Sequence, residues 1–183
     1  MGSYAALLRG INVGGSNVIR MDDLKKAFEE LKFSDVKTYI ASGNVIFGSG
    51  ETDKIKLTCL IEKKLLEKFG AVIPLVIVGF KEFKRIIGQA PEGFGKESKT
   101  RRYDLWFLKE PLSAKEVLQL VKPKEGVDTI TGGSGVVYAS RLISLAGKSR
   151  LIRVNKLPIY QLITVRSWNT GVKLLRLMET GFG

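Results

Sequence analysis

The chain of 183 residues contains no histidine. Without an imidazole there is no Ser–His or Cys–His nucleophile pair, and no side chain with an ordinary pKa near neutral pH. Zinc sites built from several Cys and His ligands are not expected either, because Cys59 is the one cysteine. Any catalysis would rely on carboxylates, Lys, Tyr, Arg or a cofactor of unknown kind. We therefore expect no metal site, and an enzyme is the less favoured class.

Disulfides, long apolar runs and a leader are also lacking. A single cysteine cannot form an intramolecular disulfide, which favours a reducing cytoplasm. No apolar run approaches the ~20 residues of a membrane span, and the N-terminus lacks the layout of a signal peptide. We expect a cytoplasmic, globular protein with no membrane partner, and its oligomeric state stays open.

Acidic residues are scarce relative to basic ones. The chain has 30 Lys and Arg against 18 Asp and Glu, a formal net charge of +12. The excess is uneven, because no Asp or Glu occurs from residue 141 to residue 178. A region of this kind attracts polyanions over about 8 Å at physiological salt. Two interpretations stay open: a generally basic surface, or weak nucleic-acid binding that does not depend on sequence.

The first half of the chain reads as strand, helix, strand, strand, helix, strand. Hydrophobic periodicity predicts these elements at residues 4–9, 21–31, 36–40, 45–47, 57–65 and 72–78. Asp22 or Asp23 is placed to cap the first helix, and Gly70 to end the second. A short helix at 80–87 follows, and residues 91–100, rich in Gly, Pro and Lys, are predicted to be a linker.

The same order returns in the second half. Strands are predicted at residues 103–108, 127–131, 136–140 and 161–166, with helices at 113–121 and within 149–157. Ser113 and Glu116 form a capping-box pattern, and Ser167 or Asn169 would cap a C-terminal helix. Two β-α-β-β-α-β runs predict an α+β fold of two tandem ferredoxin-like halves, 1–90 and 101–183, plus that helix. The two halves have the same order of elements but little sequence similarity, so an internal duplication is a repeat of the arrangement and not of the sequence.

Three segments resemble the signatures of an uncharacterised bacterial family, catalogued as domain of unknown function 1697. They read LLRGINVGG at 7–15, TYIASGNV at 38–45 and TVRSWNT at 164–170. The family pattern has Arg-Asn-Trp-Asn-Thr in the third segment, where this chain has Ser167. The resemblance implies a compact α+β fold of two ferredoxin-like halves. It implies no activity, cofactor or catalytic residue.

The first candidate site is the glycine-rich loop that follows the first strand. Its spacing fits neither the Walker nor the dinucleotide pattern. Arg9, Asn12, Gly14 and Gly15 could still form an anion pocket from backbone N–H groups and a guanidinium. The alternative, which we favour, is a tight connection in which glycine permits the turn and Asn12 bonds to local backbone.

The second candidate is the turn at residues 42–44. Gly tolerates a positive φ and Asn adopts it readily, so hairpin chemistry explains this triplet. A less favoured interpretation places Ser42 and Asn44 beside the first loop, as polar contacts to the same ligand.

The third candidate is the segment at residues 166–170, the strongest single site. Arg166 could pair with a phosphate or carboxylate while Trp168 stacks on a ring and Asn169 adds a hydrogen bond. A capped helix whose Trp fills the edge of the core explains the segment equally well.

Three functions follow from these candidates. The leading hypothesis is binding of an anionic small molecule in one pocket made by loop 9–15 and segment 166–170. The second is weak nucleic-acid binding through the basic C-terminal half. RNA-recognition modules need aromatics on the first and third strands, and here the third strands offer only Phe47 and Tyr138. The third is an enzyme on a phosphorylated substrate held by Arg166, with a carboxylate or Tyr39 as base.

Overall fold

The computed structural model describes residues 1–14 and 18–180. The chain divides into two compact units. The first unit consists of Met1–Lys84 together with the C-terminal residues from Leu174, and the second unit is Arg85–Lys173. Each unit contains one four-stranded antiparallel sheet, and a helix follows the last strand. The α+β class predicted from the sequence is therefore confirmed.

The boundaries of the units differ from the sequence-based division into 1–90, 91–100 and 101–183. The end of the short helix after the fourth strand and the whole of 91–100 belong to the second unit. The residues from Leu174 belong to the first unit.

The sheet of the first unit has the strand order β2-β3-β1-β4, so the first strand of the chain lies in the middle. Tyr4 pairs with Phe47 on one side and with Gly79 on the other. Residues 34–39 and 44–49 form the predicted hairpin. The elements in chain order are β1 (Gly2–Leu8), α1 (Met21–Glu30), β2 (Ser34–Tyr39), β3 (Asn44–Ser49), α2 (Lys54–Phe69), β4 (Leu75–Gly79) and α3 (Phe80–Gly88).

One core lies between this sheet and helices α1 and α2. Leu24 and Phe28 of α1 and Ile61 of α2 are fully buried in it. They meet alternate strand residues such as Phe47, as expected for a sheet whose successive side chains point to opposite faces. Leu60 of α2 lies outside this core and is 44% exposed, although the periodicity of Leu57, Leu60, Ile61 and Leu65 predicts one apolar face.

The sheet of the second unit has the order β6-β7-β5-β8. In both sheets the strands therefore lie in the order second, third, first, fourth, counted along the chain within the unit. The hairpin of β6 and β7 turns at Ser134 and Gly135, and Gly135 has a φ of 75°. The elements are β5 (Arg101–Leu108), α4 (Ala114–Leu120), β6 (Asp128–Gly133), β7 (Val136–Leu142), β8 (Ile163–Ser167) and α5 (Trp168–Thr180).

A helix lies within 149–157 and ends before Pro158, as predicted, but it is the middle one of three short 3₁₀ turns and not an α-helix. The three turns span Ala146–Lys148, Leu151–Lys156 and Pro158–Leu162. The buried residues of the middle turn are Leu151 and Val154, three positions apart, while Asn155 is exposed. A spacing of three matches the 3.0 residues per turn of a 3₁₀ helix better than the 3.6 of an α-helix. Pro158 then opens the next turn.

The helix caps agree with the sequence in most places. Both hydrogen bonds of the Ser113–Glu116 capping box are present, and Gly70 ends α2 with a φ of 67°. Ser167 caps α5, because its hydroxyl accepts a hydrogen bond from the Thr170 N–H at 3.3 Å. The cap predicted for α1 is wrong: its N-cap residue is Arg20, without a side-chain bond, and Asp22 and Asp23 lie in the first turn.

Candidate anion-binding site

The loop after β1 is held by backbone hydrogen bonds on both sides. The Leu8 N–H donates to Gly43 O and the Arg9 N–H to Pro74 O, each at 2.8 Å. Gly14 has a left-handed φ of 60°, which glycine adopts without strain. Gly15 lies outside the described residues.

The side chain of Asn12 is used to hold this loop together. Its Nδ2 donates to Ile19 O and to Ala41 O, both at 2.9 Å, and its Oδ1 accepts from the Ile19 N–H at 2.8 Å. Its φ of 54° is one that Asn tolerates better than most residues. These contacts favour a structural role for Asn12, and they bring the loop beside the hairpin turn that contains Ala41.

The hairpin turn itself is also tightly packed. Gly43 has a φ of 79°, and an added Cβ would lie 2.7 Å from Ile11 Cδ1, so only glycine fits. The amide of Asn44 is fully buried and donates to Tyr39 O at 2.9 Å and to Ser42 Oγ at 3.1 Å. Turn chemistry thus accounts for Asn44.

A cavity of about 440 Å³ lies in the second unit, and we call it the arginine–tryptophan cavity. It forms where the N-terminal end of β5, the C-terminal end of β7 and the start of α5 come together. Its lining residues are Gly95, Ser98, Arg101, Arg102, Tyr103, Arg141, Ile143, Ala146, Ser167, Trp168 and Asn169. Two of the predicted site residues, Trp168 and Asn169, are among them.

The charged lining of this cavity consists of three arginines and no carboxylate. Arg102 and Arg141 pair directly across β5 and β7. The Arg102 Nε contacts both carboxylate oxygens of Asp104, at 3.1 and 3.2 Å. The guanidinium of Arg101 donates to Ser140 Oγ and Thr129 Oγ1.

Arg141 is less constrained than the other two arginines. It forms no ion pair with any residue in the described part of the chain, although its charge helps to lower the pKa of Asp128. A guanidinium presents several N–H donors in a fixed plane, which suits a carboxylate or a phosphate. Arg141 is therefore the side chain best placed to bind an incoming anion.

The indole of Trp168 has one packed side and one that reaches the cavity. Its ring meets Phe94 edge to face, with centroids 5.3 Å apart. Gly95 lies so close that a Cβ there would overlap the indole nitrogen. Trp168 is still partly exposed and Asn169 is exposed. The packing against Phe94 and Gly95 agrees with the core-edge interpretation of this segment, and stacking of Trp168 on a ligand ring stays a prediction.

Arg166, predicted as the partner of an anion, does not line the cavity. It is 8% exposed, and its Nη1 donates to Val165 O at 2.8 Å. Burial lowers the pKa of Arg166 to about 10, so the side chain stays charged at neutral pH. The arginines that line the cavity are instead Arg101, Arg102 and Arg141.

Sequence reasoning missed Arg101 and Arg102 and gave Arg141 only a general role in the basic region. Each of these arginines lies at the end of a strand, where a charged residue is ordinarily solvated. The usable signal was the pair of consecutive arginines directly after the linker and before an aromatic residue. The pairing of Arg102 with Arg141, residues far apart in the chain, depends on the register of β5 and β7.

Comparison with known proteins places the chain in a family. The sequence model described as "Protein of unknown function (DUF1697)" matches residues 1–138, and the chain belongs to this family. A similar solved structure is that of the conserved bacterial protein SP0830 from Streptococcus pneumoniae. It is 25% identical, with a TM-score of 0.84, and the match covers 97% of this chain and 98% of that one. No curated protein matches the chain.

Within residues 1–14 and 18–180, no group of three or more His, Cys, Asp or Glu side chains could hold a metal ion. Over the same residues, every helix is too short or too polar to cross a bilayer.

Proposed function

We propose that the second unit binds an anionic small molecule with a flat ring in the arginine–tryptophan cavity. The observation that carries this proposal is the lining itself, which contains three arginines and no Asp or Glu. Within the described part of the chain only Arg102 of the three is in an ion pair, to Asp104 outside the lining. Like charges directly opposite on neighbouring strands destabilise a sheet, as Arg102 and Arg141 do here. Asp104 offsets the charge of Arg102, and Asp128 lies opposite Arg141 across β6 and β7 without forming an ion pair with it. A bound anion would pair directly with the Arg141 guanidinium.

The ring of the ligand is the part that Trp168 would recognise. The indole is fixed by Phe94 and Gly95, so its position is set before a ligand arrives. A preorganised aromatic surface loses little conformational entropy on binding. Asn169, exposed at the start of α5, adds a donor and an acceptor at the rim of the cavity.

We also propose that each unit is a ferredoxin-like β-α-β-β-α-β arrangement and that the two reflect an internal duplication. The identical strand orders of the two sheets support this. The second unit departs from the pattern where 3₁₀ turns stand in place of its second helix. A cytoplasmic location, with Cys59 as a free thiol, fits the same picture.

The proposal depends on the second unit alone. The contribution of loop 9–15 of the first unit, predicted from the sequence, stays a prediction. Arg9→Gln tests it separately, since it should weaken ligand binding only if that loop takes part.

Calorimetric titration with adenosine monophosphate tests the proposed function, because this probe joins an anion to a flat ring. Adenosine and inorganic phosphate, each carrying one of the two features, should bind more weakly than the whole probe. Arg141→Gln should lower the affinity about 10-fold or more, as expected for loss of a charge-assisted hydrogen bond. The affinity of Arg141→Lys should lie between those of the unmodified protein and Arg141→Gln, because lysine keeps the charge and lacks the planar guanidinium.

The matched control is Lys115→Gln, which removes one exposed cation of the same unit outside the cavity. It should leave the affinity unchanged. Equal losses for Arg141→Gln and Lys115→Gln would show that net charge, and not the cavity, attracts the probe.

A further inference from the structure

A second cavity of the same unit, about 530 Å³ in volume, is lined by cations, and we call it the basic groove. It shares no lining residue with the arginine–tryptophan cavity. Its charged side chains are Lys124, Lys148, Arg150, Arg153 and Lys156. All five are exposed, and no carboxylate lines the groove. None of the five forms an ion pair within the part of the chain that the structure describes.

A buried carboxylate fixes the two segments that carry these cations. Asp128 is 6% exposed, and its Oδ2 accepts hydrogen bonds from the Lys124 N–H at 2.9 Å and the Arg150 N–H at 2.8 Å. Burial alone would raise the pKa of Asp128, but hydrogen bonds from Ser149 and these backbone groups lower it. Asp128 thus links the segment before β6 to the segment at the junction of the first two 3₁₀ turns. Because Lys124 and Arg150 both line the groove, this link fixes the distance between two parts of its wall.

The middle 3₁₀ turn decides which side chains reach the groove. Leu151 and Val154 are buried in the core of the unit, so Arg153 and Lys156 remain at the surface. Ile152 also lines the groove and is 51% exposed. The wall therefore combines a row of cations with one apolar contact.

We propose that the basic groove binds the sugar–phosphate backbone of a single nucleic-acid strand without reading its sequence. Five exposed cations, none of them in an ion pair with a described residue, repel one another, and a run of phosphates relieves this repulsion and releases its own counterions. Ile152 offers apolar area that a sugar can cover and a bare chain of inorganic phosphates cannot. These two features together favour nucleic acid over inorganic polyphosphate.

The absence of base reading follows from the aromatic residues. No aromatic side chain lines the groove. Phe47 and Tyr138, the aromatics on the third strands, are 0% and 3% exposed. Stacking on aromatic rings is the usual means by which single-stranded bases are held, so binding here relies on phosphates and sugars.

Fluorescence anisotropy with a labelled oligouridylate of about 20 nucleotides tests the proposal, since such a length exceeds the site of one small domain. Each phosphate contact of a single strand adds about 0.7 to the slope of log affinity against log salt. With five contacts, affinity should fall about 100-fold between 50 and 200 mM salt. In Lys148→Gln/Arg153→Gln, three contacts remain and the fall should be about 20-fold.

The control Lys115→Gln/Lys173→Gln removes two exposed cations of the same unit that do not line the groove. It should keep the slope of the unmodified protein, and Trp168→Leu should keep it as well, which separates this site from the proposed ligand cavity. The proposal is overturned if Lys115→Gln/Lys173→Gln lowers the salt dependence as much as Lys148→Gln/Arg153→Gln does.

Competition identifies the occupant. Unlabelled oligouridylate and oligodeoxythymidylate should displace the probe equally, and inorganic polyphosphate of equal charge should do so less well. A duplex that binds more tightly than the single strand, or polyphosphate that displaces it more readily than RNA does, would overturn the assignment to a single nucleic-acid strand.

Discussion

At the scale of single residues, Asn12 shows that a polar side chain in a glycine-rich loop can be fully used by the fold. Asn12→Ala removes three hydrogen bonds to Ile19 and Ala41 and leaves alanine at a φ of 54°. The free energy of unfolding should fall by about 3 kcal/mol, since the backbone groups of the buried Ile19 lose their bonds and the backbone at residue 12 is strained. Urea denaturation measures this change.

Asn12→Gly is the matched control for this prediction. It loses the same three hydrogen bonds but adopts a φ of 54° without strain, so its loss of stability should be smaller. If Asn12→Ala is as stable as the unmodified protein and instead abolishes binding of adenosine monophosphate, Asn12 contacts a ligand.

Asp128 should make stability depend on pH at the acid end. Its pKa in the folded protein is lowered, so its contribution is present above the unfolded pKa of about 3.9 and is lost as pH falls through the folded pKa. We expect Asp128→Asn to be less stable than the unmodified protein at pH 7, with the difference shrinking below about pH 4. Denaturation at both pH values checks this, and a difference independent of pH would contradict it.

A substitution of Asp128 also distinguishes two causes of binding in the basic groove: the net positive charge, and the positions of the cations that line it. Asp128→Asn raises the net charge by one, which favours polyanion binding if attraction alone matters. Weaker binding of oligouridylate by a folded Asp128→Asn protein would instead show that the carboxylate organises the groove.

At the scale of elements, the cap of α2 offers a clean test. Asp53 Oδ1 accepts hydrogen bonds from the Ile55 N–H at 2.8 Å and the Lys56 N–H at 3.2 Å. Asp53→Ala should lower the free energy of unfolding by about 1 kcal/mol, and Asp53→Asn should restore most of it, because asparagine caps helices as well. Thermal unfolding followed by circular dichroism measures both, and equal losses in the two variants would rule out the cap as the cause.

Elements were predictable wherever a local pattern determined them. The Ser113–Glu116 box, the glycine at the end of α2 and both hairpins follow from short-range chemistry, and the structure confirms them. Within 149–157 a helix could be predicted but its kind could not, because Leu151 and Val154 fit a helix of either kind and both pack into the core of the unit.

The candidate site was less predictable than the elements. Trp168 and Asn169 stand at a recognisable junction of strand and helix, and both line the cavity. Arg102 and Arg141 meet only through the register of β5 and β7, which no local pattern specifies. Arg166 belongs to the same segment as Trp168 and Asn169, but the alternation of side chains along β8 buries it.

At the scale of the whole molecule, the first unit needs residues from the end of the chain. Leu174 is fully buried and belongs to that unit. Leu174→Ala should lower the free energy of unfolding by about 3 kcal/mol, the loss typical of a buried leucine that leaves a cavity. Leu120→Ala, at a position 52% exposed, is the control and should cost much less. Urea denaturation compares the two, and similar losses would contradict a buried role for Leu174.

Because the first unit draws on both the N-terminal residues and those from Leu174, the ribosome releases its pieces far apart in time. The second unit is continuous in sequence, so it can fold before the residues from Leu174, which the first unit needs, have been synthesised. Synthesis would then reverse the usual order, in which the segment that emerges earliest folds earliest. Limited proteolysis of nascent chains, lengthened at the C-terminus so that residues up to 173 have left the ribosomal exit tunnel, measures this order: residues 85–173 should resist cleavage before residues 1–84 do.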